Sequence, residues 1–230
     1  MSDATPLDDQ TRTAIMTAVY EGFDEQIDFT SELVKFPSVR GAEQTAQDFM
    51  AHELGDRGYG VDRWKVELDD IAHLPGFSPV HVNYDNAYNT VGSYRSENPK
   101  GHSLILNGHI DVVPVGPVDM WTRPPFEPYV EGDWLYGRGS GDMKAGIAEC
   151  VYAMDALKRL GYAPAGDVYV QSVIEEECTG NGALACLQRG YKADAALIPE
   201  PLGEQLVRAQ IGVIWFQVKL RGRPVHVLEA

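Results

Sequence analysis

The stretch Ser103-Leu104-Ile105-Leu106-Asn107-Gly108-His109-Ile110-Asp111-Val112-Val113-Pro114 decides the fold. Leu104-Ile105-Leu106 is a short apolar run, the pattern of a strand buried on both faces of a central sheet. His109 follows at the carboxyl end of that strand, where open α/β sheets place their sites. Asp111, two residues on, is placed to accept a hydrogen bond from the other imidazole nitrogen, which would fix the tautomer of a ligating ring. Taken alone, His-x-Asp is a weak signal and reads better as an ordinary loop histidine beside a carboxylate.

The same arrangement recurs on either side. Val168 to Ile174 alternates like a strand and ends in Glu175-Glu176-Glu177. Three adjacent carboxylates at a strand end repel one another unless cations are present; in isolation they also read as a solvated turn. Ala195 to Ile198 is another short apolar run, and it ends in Pro199-Glu200-Pro201. Between these lies Tyr136-Gly137-Arg138-Gly139-Ser140-Gly141-Asp142-Met143-Lys144, a glycine-rich turn before a helical pattern. Its spacing fits neither a Walker loop nor a dinucleotide fingerprint, and Asp142 alone reads as a helix cap.

Further out, Ile15, Val19, Phe23, Ile27 and Val34 predict one long amphipathic helix ending before Pro37. A second helix is predicted from about Glu43 to Arg57, a third over Asp142 to Leu160 and a fourth from Asn181, as cap, to Gly190. Val61 to Leu68 and Thr90 to Arg95 read as strands, and Asp69 to Asn86 as a loop. Strands alternating with helices imply an α/β domain with a mostly parallel sheet and helices on both faces. From about Ala209 the pattern changes, and Val213 to Leu220 alternates as a new strand. The expected organisation is a metal-binding catalytic domain over 1–208 and the start of a lid or dimerisation domain over 209–230, with a hinge near Ile211-Gly212.

Composition narrows the function. The 230 residues carry 34 acidic against 19 basic side chains, a formal charge of −15. Such a chain is a poor partner for nucleic acid or an anionic membrane. No apolar run approaches a membrane span and no secretory leader is visible. Cys150, Cys178 and Cys186 are odd in number and lack CxxC spacing, which points to reduced thiols and a cytoplasmic protein.

His109, Asp142, the glutamate run and Glu200 thus fall at four expected strand ends. Hard carboxylates with one imidazole suit Zn²⁺, Mn²⁺ or Co²⁺. They exceed the needs of one tetrahedral site, which favours two metals sharing a carboxylate.

The set resembles the zinc aminoacyl hydrolases, the family of acetylornithine deacetylase, succinyl-diaminopimelate desuccinylase, aminoacylase and glutamate carboxypeptidase. The shared blocks are GHIDVVP (Gly108 to Pro114), Trp121 with PPFEP (Pro124 to Pro128), LYGRGSGDMKAG (Leu135 to Gly146), EEE with Gly180 and Gly182, and PEP (Pro199 to Pro201). The resemblance implies two Zn²⁺ ions, with Co²⁺ or Mn²⁺ as substitutes. It implies that His109 and Glu200 hold one ion, Glu177 the other, and Asp142 both, with a cis bond after Asp142. Asp111 would orient His109, and Glu176 would be the general base. Gly222-Arg223-Pro224-Val225-His226 matches the family's lid segment, whose histidine reaches the neighbouring subunit's site; His226 also reads as a plain surface-strand residue. The implied substrate is an N-acyl amino acid or small peptide, and the implied assembly a homodimer of the whole protein. The alternatives are a hydrolytic deaminase or dipeptidase on the same metals, or a metal-binding relative without catalysis. The triplet departs from the family in its first residue, Glu175, where aspartate is usual. His52, His73, His81 and His102 belong to no block.

Overall fold

The computed structural model describes residues 6–203, 205–209, 212 and 218–222. In chain order its elements are α1 (Asp9–Glu21), α2 (Phe23–Val34), α3 (Gln44–Asp56), β1 (Gly60–Lys65), α4 (Leu68–Ile71), β2 (Tyr88–Tyr94) and β3 (Leu104–His109). There follow β4 (Tyr129–Glu131), β5 (Trp134–Tyr136), α5 (Ala145–Arg159), β6 (Val168–Val173), α6 (Asn181–Gln188) and β7 (Ala195–Leu197).

Five strands form the central sheet in the order β1-β2-β6-β3-β7. β3 pairs in parallel with both β6 and β7. β2 is antiparallel to β1 and to β6. Four strands therefore run one way and β2 runs against them, a mostly parallel sheet.

β6 is buried at every position because helices cover both faces. On one face Leu106, Val168, Val170 and Ile174 pack with Leu33 of α2, Met50 and Leu54 of α3, and Ile147 and Val151 of α5. On the other, Tyr169 and Val173 pack with Val91 and with Cys186 of α6. The alternation of β6 sends successive side chains to opposite faces, so a single strand feeds both clusters. Truncating a fully buried leucine of this core to alanine costs about 2–5 kcal/mol. The parallel register sets Gly108 opposite Ser172 and His109 opposite Val173, so the ends of β3 and β6 lie side by side.

Several expectations are corrected. The single N-terminal helix is two, broken at Gly22, whose N–H donates to Ala18 and Val19 carbonyls. Glycine is a poor helix former, and the break turns Phe29 and Leu33 into the core while Phe23 stays 51% exposed. The third helix starts at Ala145 instead of Asp142, because Asp142 has extended angles (φ −116°, ψ 99°). Asp142 also follows no strand of the main sheet; it comes from the loop after the β4–β5 hairpin, which the sequence reading missed. Asn181 is not the cap of α6. Gly180 holds that place, and the Asn181 amide bridges Ser78 instead, accepting from its N–H and donating to its carbonyl. The strand expected over Val213 to Leu220 and the hinge at Ile211 lie largely outside the described residues, as does His226. No described helix is long and apolar enough to cross a membrane.

Candidate active site

β3 carries His109 into a position 1% exposed. Its ring Nδ1 lies 2.8 Å from the backbone carbonyl of Asp111. A carbonyl only accepts, so Nδ1 holds the proton and Nε2 turns to the cluster. Nε2 lies 3.0 Å from Asp142 Oδ1, 3.8 Å from Glu176 Oε2 and 3.8 Å from Glu200 Oε1. Asp142 arrives from the glycine-rich loop, whose Lys144 N–H closes back on the Gly139 carbonyl at 3.0 Å. The Asp142–Met143 peptide is cis. Glu176 and Glu177 leave the end of β6, and Glu200 leaves the end of β7.

Close helix packing makes this convergence possible. A Cβ on Gly146 of α5 would stand 2.3 Å from the Pro199 carbonyl, and one on Gly108 would stand 2.6 Å from Ile147. Only glycine lets α5 approach β3 and the Glu200 loop so nearly.

Asp111 meets the His109 ring through its backbone carbonyl, where the sequence pointed to its carboxylate. Its carboxylate is 3.6 Å from Nδ1, beyond hydrogen-bond reach, so it acts on the ring through charge while the carbonyl makes the bond. Both carboxylate oxygens are instead taken by backbone N–H groups, Glu176 on Oδ1 and Glu177 on Oδ2, each at 3.1 Å. Asp111 therefore grips the turn that carries the two glutamates.

The electrostatics show a site short of positive charge. Burial opposes a charged His109, yet Asp111, Glu176 and Glu200 outweigh it and push the ring up to about 10. Burial, with Asp142, Glu176 and Glu177 acting the same way against His109, pushes Glu200 up to about 7. Burial first, then neighbouring carboxylates, also raises Glu176 and Glu177. An imidazole that holds an extra proton among carboxylates that resist losing theirs marks a place for a cation. Ligand atoms of His109, Glu176 and Glu200 lie within 4.8 Å of one another, as do those of His109, Asp142 and Glu177. One imidazole nitrogen with carboxylate oxygens is a donor set that fits Zn²⁺, Mn²⁺ or Co²⁺. By distance Glu176 is as near the ring as Glu200, so proximity does not divide base from ligand.

Other contributors are not singled out by the sequence. Glu175, read only as part of the triplet, is 1% exposed and bonds to Arg40, Tyr84 and Thr179. Lys144, 0% exposed, donates to the Leu33 and Phe36 carbonyls at 3.0 and 2.8 Å and ties the Asp142 loop to the end of α2. The fixed offset of Lys144 from Asp142 could have drawn notice. Arg40 and Tyr84 lie in segments with no motif.

An α/β sheet whose strand ends gather one imidazole and several carboxylates defines a domain built around a candidate divalent-metal centre. A family model described as Peptidase family M20/M25/M40 matches residues 105–227, and the chain belongs to that family. Among curated relatives, the chain is similar to N-formyl-4-amino-5-aminomethyl-2-methylpyrimidine deformylase of Bacillus subtilis (strain 168), 31% identical over 218 residues, 92% of this chain and 47% of the relative. It is also similar to succinyl-diaminopimelate desuccinylase of Methylorubrum extorquens (strain PA1), 34% identical over 208 residues, 85% of this chain and 49% of the relative. The chain thus spans about half the length of these relatives. Its fold is similar to part of human carnosine dipeptidase 1, with a TM-score of 0.63 at 18% identity over 84% of this chain and 41% of that one.

Proposed function

We propose that the whole protein is a metal-dependent hydrolase cleaving the amide bond of a small N-acylated amine, whether an N-acyl amino acid, a short peptide or a related amine. The observation that carries this reading is the meeting of His109, Asp142, Glu176, Glu177 and Glu200 at adjoining strand and loop ends. His109 and Glu200 would hold one Zn²⁺, Glu177 the second, and Asp142 both; Co²⁺ or Mn²⁺ could replace zinc. Bound there, the ions supply Lewis acidity to the attacking water and the scissile carbonyl.

The chain's own residues do the rest. The Asp111 carbonyl fixes the His109 ring, and the Asp111 carboxylate holds the glutamate turn. Glu176, with its side chain 53% exposed, stays open to substrate. It takes a proton from the attacking water and passes it to the amine nitrogen as the C–N bond breaks. The products are a carboxylic acid and a free amine.

The names of both curated relatives describe removal of an acyl group, a formyl or a succinyl, which favours deacylation over deamination. One of those names describes a pyrimidine amine, which widens the amine beyond amino acids. Residues 209–230 would begin a lid that also forms a homodimer and brings His226 to the partner's scissile carbonyl. The free thiols Cys150, Cys178 and Cys186 favour the cytoplasm. Turnover of the whole, zinc-loaded protein on N-formyl, N-acetyl and N-succinyl amines tests the reading. Release of the acid is expected; release of ammonia alone, or no turnover on any of them, would overturn it.

A further inference from the structure

Three identical carboxylates stand in a row at the end of β6, and the geometry gives the first a separate task. Glu175 Oε1 accepts from Arg40 Nε at 2.8 Å. Oε2 accepts from the Tyr84 hydroxyl at 3.0 Å and the Thr179 hydroxyl at 2.9 Å. The Glu175 carbonyl accepts from the Thr179 and Gly180 N–H groups at 3.0 and 2.8 Å.

The backbone at Glu175 has φ +63°, in the left-handed region that a long side chain seldom occupies. Such a conformation persists where its surroundings over-determine it. Here both the side chain and the carbonyl of Glu175 are tied down. The next two N–H groups are taken by Asp111. The turn is thus gripped at both ends.

Arg40 also joins two arms of the site. Ser38 and Val39 are zipped to the chain just beyond His109: the Ser38 hydroxyl donates to the Ile110 carbonyl at 2.6 Å, the Val112 N–H donates to the Ser38 carbonyl at 3.0 Å, and Val39 bridges Val112. Arg40 follows directly and reaches the turn after β6. Among the described residues it is the one basic side chain bonded to Glu175.

We propose that Arg40 and Tyr84, acting through Glu175, are positioning residues that hold the Glu176–Glu177 turn in register with His109. The proposal rests on the reading of Glu176 as base and Glu177 as ligand. Neither Arg40 nor Tyr84 needs to touch substrate. Their loss lets the turn relax, and both glutamates move together.

The test uses the whole protein and four variants: R40M, R40K, Y84F and the double variant R40M/E175Q. Zinc affinity is measured without substrate, by competition with a chromophoric chelator, and then kcat and KM are measured on a turned-over N-acyl amine. Loss of a group bonded directly to a metal ligand typically costs about 10–100-fold in metal affinity or activity. Arg40 acts one contact further out, through Glu175, so R40M is expected to lose roughly threefold to tenfold in zinc affinity, with a parallel drop in kcat and KM within about threefold. R40K should recover part of both. The double variant should be no worse than R40M, since the two groups act as one unit. Should R40M fail to fold by far-UV circular dichroism, R40K and Y84F decide. Zinc affinity and kcat within about twofold of wild type in Y84F and every folded Arg40 variant would overturn the proposal, even if thermal stability fell. A wild type that binds zinc but cleaves no N-acyl amine would sink the proposed function while leaving the zinc-affinity comparison valid.

Discussion

Carboxylates that crowd one site differ in what their surroundings let them do. Glu176 is half open and sits beside the cluster, so its proposed work is to move a proton. An amide has the same shape and cannot do so. E176Q in the whole protein should keep its bound zinc and lose about 10²-fold or more of kcat; a loss below about tenfold would mean that another group is the base. Glu43 lies deeper, 1% exposed, with neither carboxylate oxygen hydrogen-bonded. Burial, opposed by the nearby Gly41 and Glu43 backbone N–H groups and aided weakly by Asp111 and Glu175, pushes it from 4.5 up to about 7. The folded protein then keeps a proton on Glu43 that the unfolded chain has already released. That contribution to stability is complete below about 4.5 and is lost as pH rises through about 7. Glutamine stays neutral throughout. E43Q should therefore gain on wild type between pH 5 and pH 8, by roughly 2 kcal/mol. Thermal unfolding at the two pH values checks this, and an equal difference at both would refute it.

Elements place these residues, and the sequence shows some elements far better than others. β3 and β7 are legible as short apolar runs and β6 as an alternating one, and a chemical residue stands at or just beyond the end of each. The β4–β5 hairpin is harder to see: its strands have three residues each and turn on Gly132-Asp133, inside a stretch dominated by glycine and proline. The start of α5 misleads because Asp142-Met143-Lys144 continues a helical pattern that the backbone does not follow until Ala145. The outer partners of the site are not legible at all. Arg40 and Tyr84 are 135 and 91 positions from Glu175, and only the folded sheet brings them to it. One element contact invites a direct test. A methyl on Gly146 would collide with the Pro199 backbone, which cannot swing away as a side chain would. G146A should push α5 from the Glu200 loop, cost about 1–3 kcal/mol of stability and weaken zinc binding. Unchanged unfolding and zinc affinity would show that this packing does not set Glu200.

On the scale of the whole molecule, the described sheet presents a set of donors, and the proposed lid would begin within residues 209–230 and continue in the rest of the protein. If His226 serves the partner subunit, two inactive variants should complement each other. Mixing His226→Ala with Glu176→Gln should restore activity in mixed dimers that carry one intact site. Stable mixed dimers without activity would exclude action in trans. The metal centre itself is most directly tested by anomalous diffraction from a crystal of the whole zinc-loaded protein, recorded on both sides of the zinc edge. An anomalous peak is expected about 2.0–2.2 Å from His109 Nε2 and from carboxylate oxygens of Asp142 and Glu200, with a second peak at Glu177. Zinc bound elsewhere, with no anomalous peak among His109, Asp142, Glu177 and Glu200, would contradict a metal centre in this cluster.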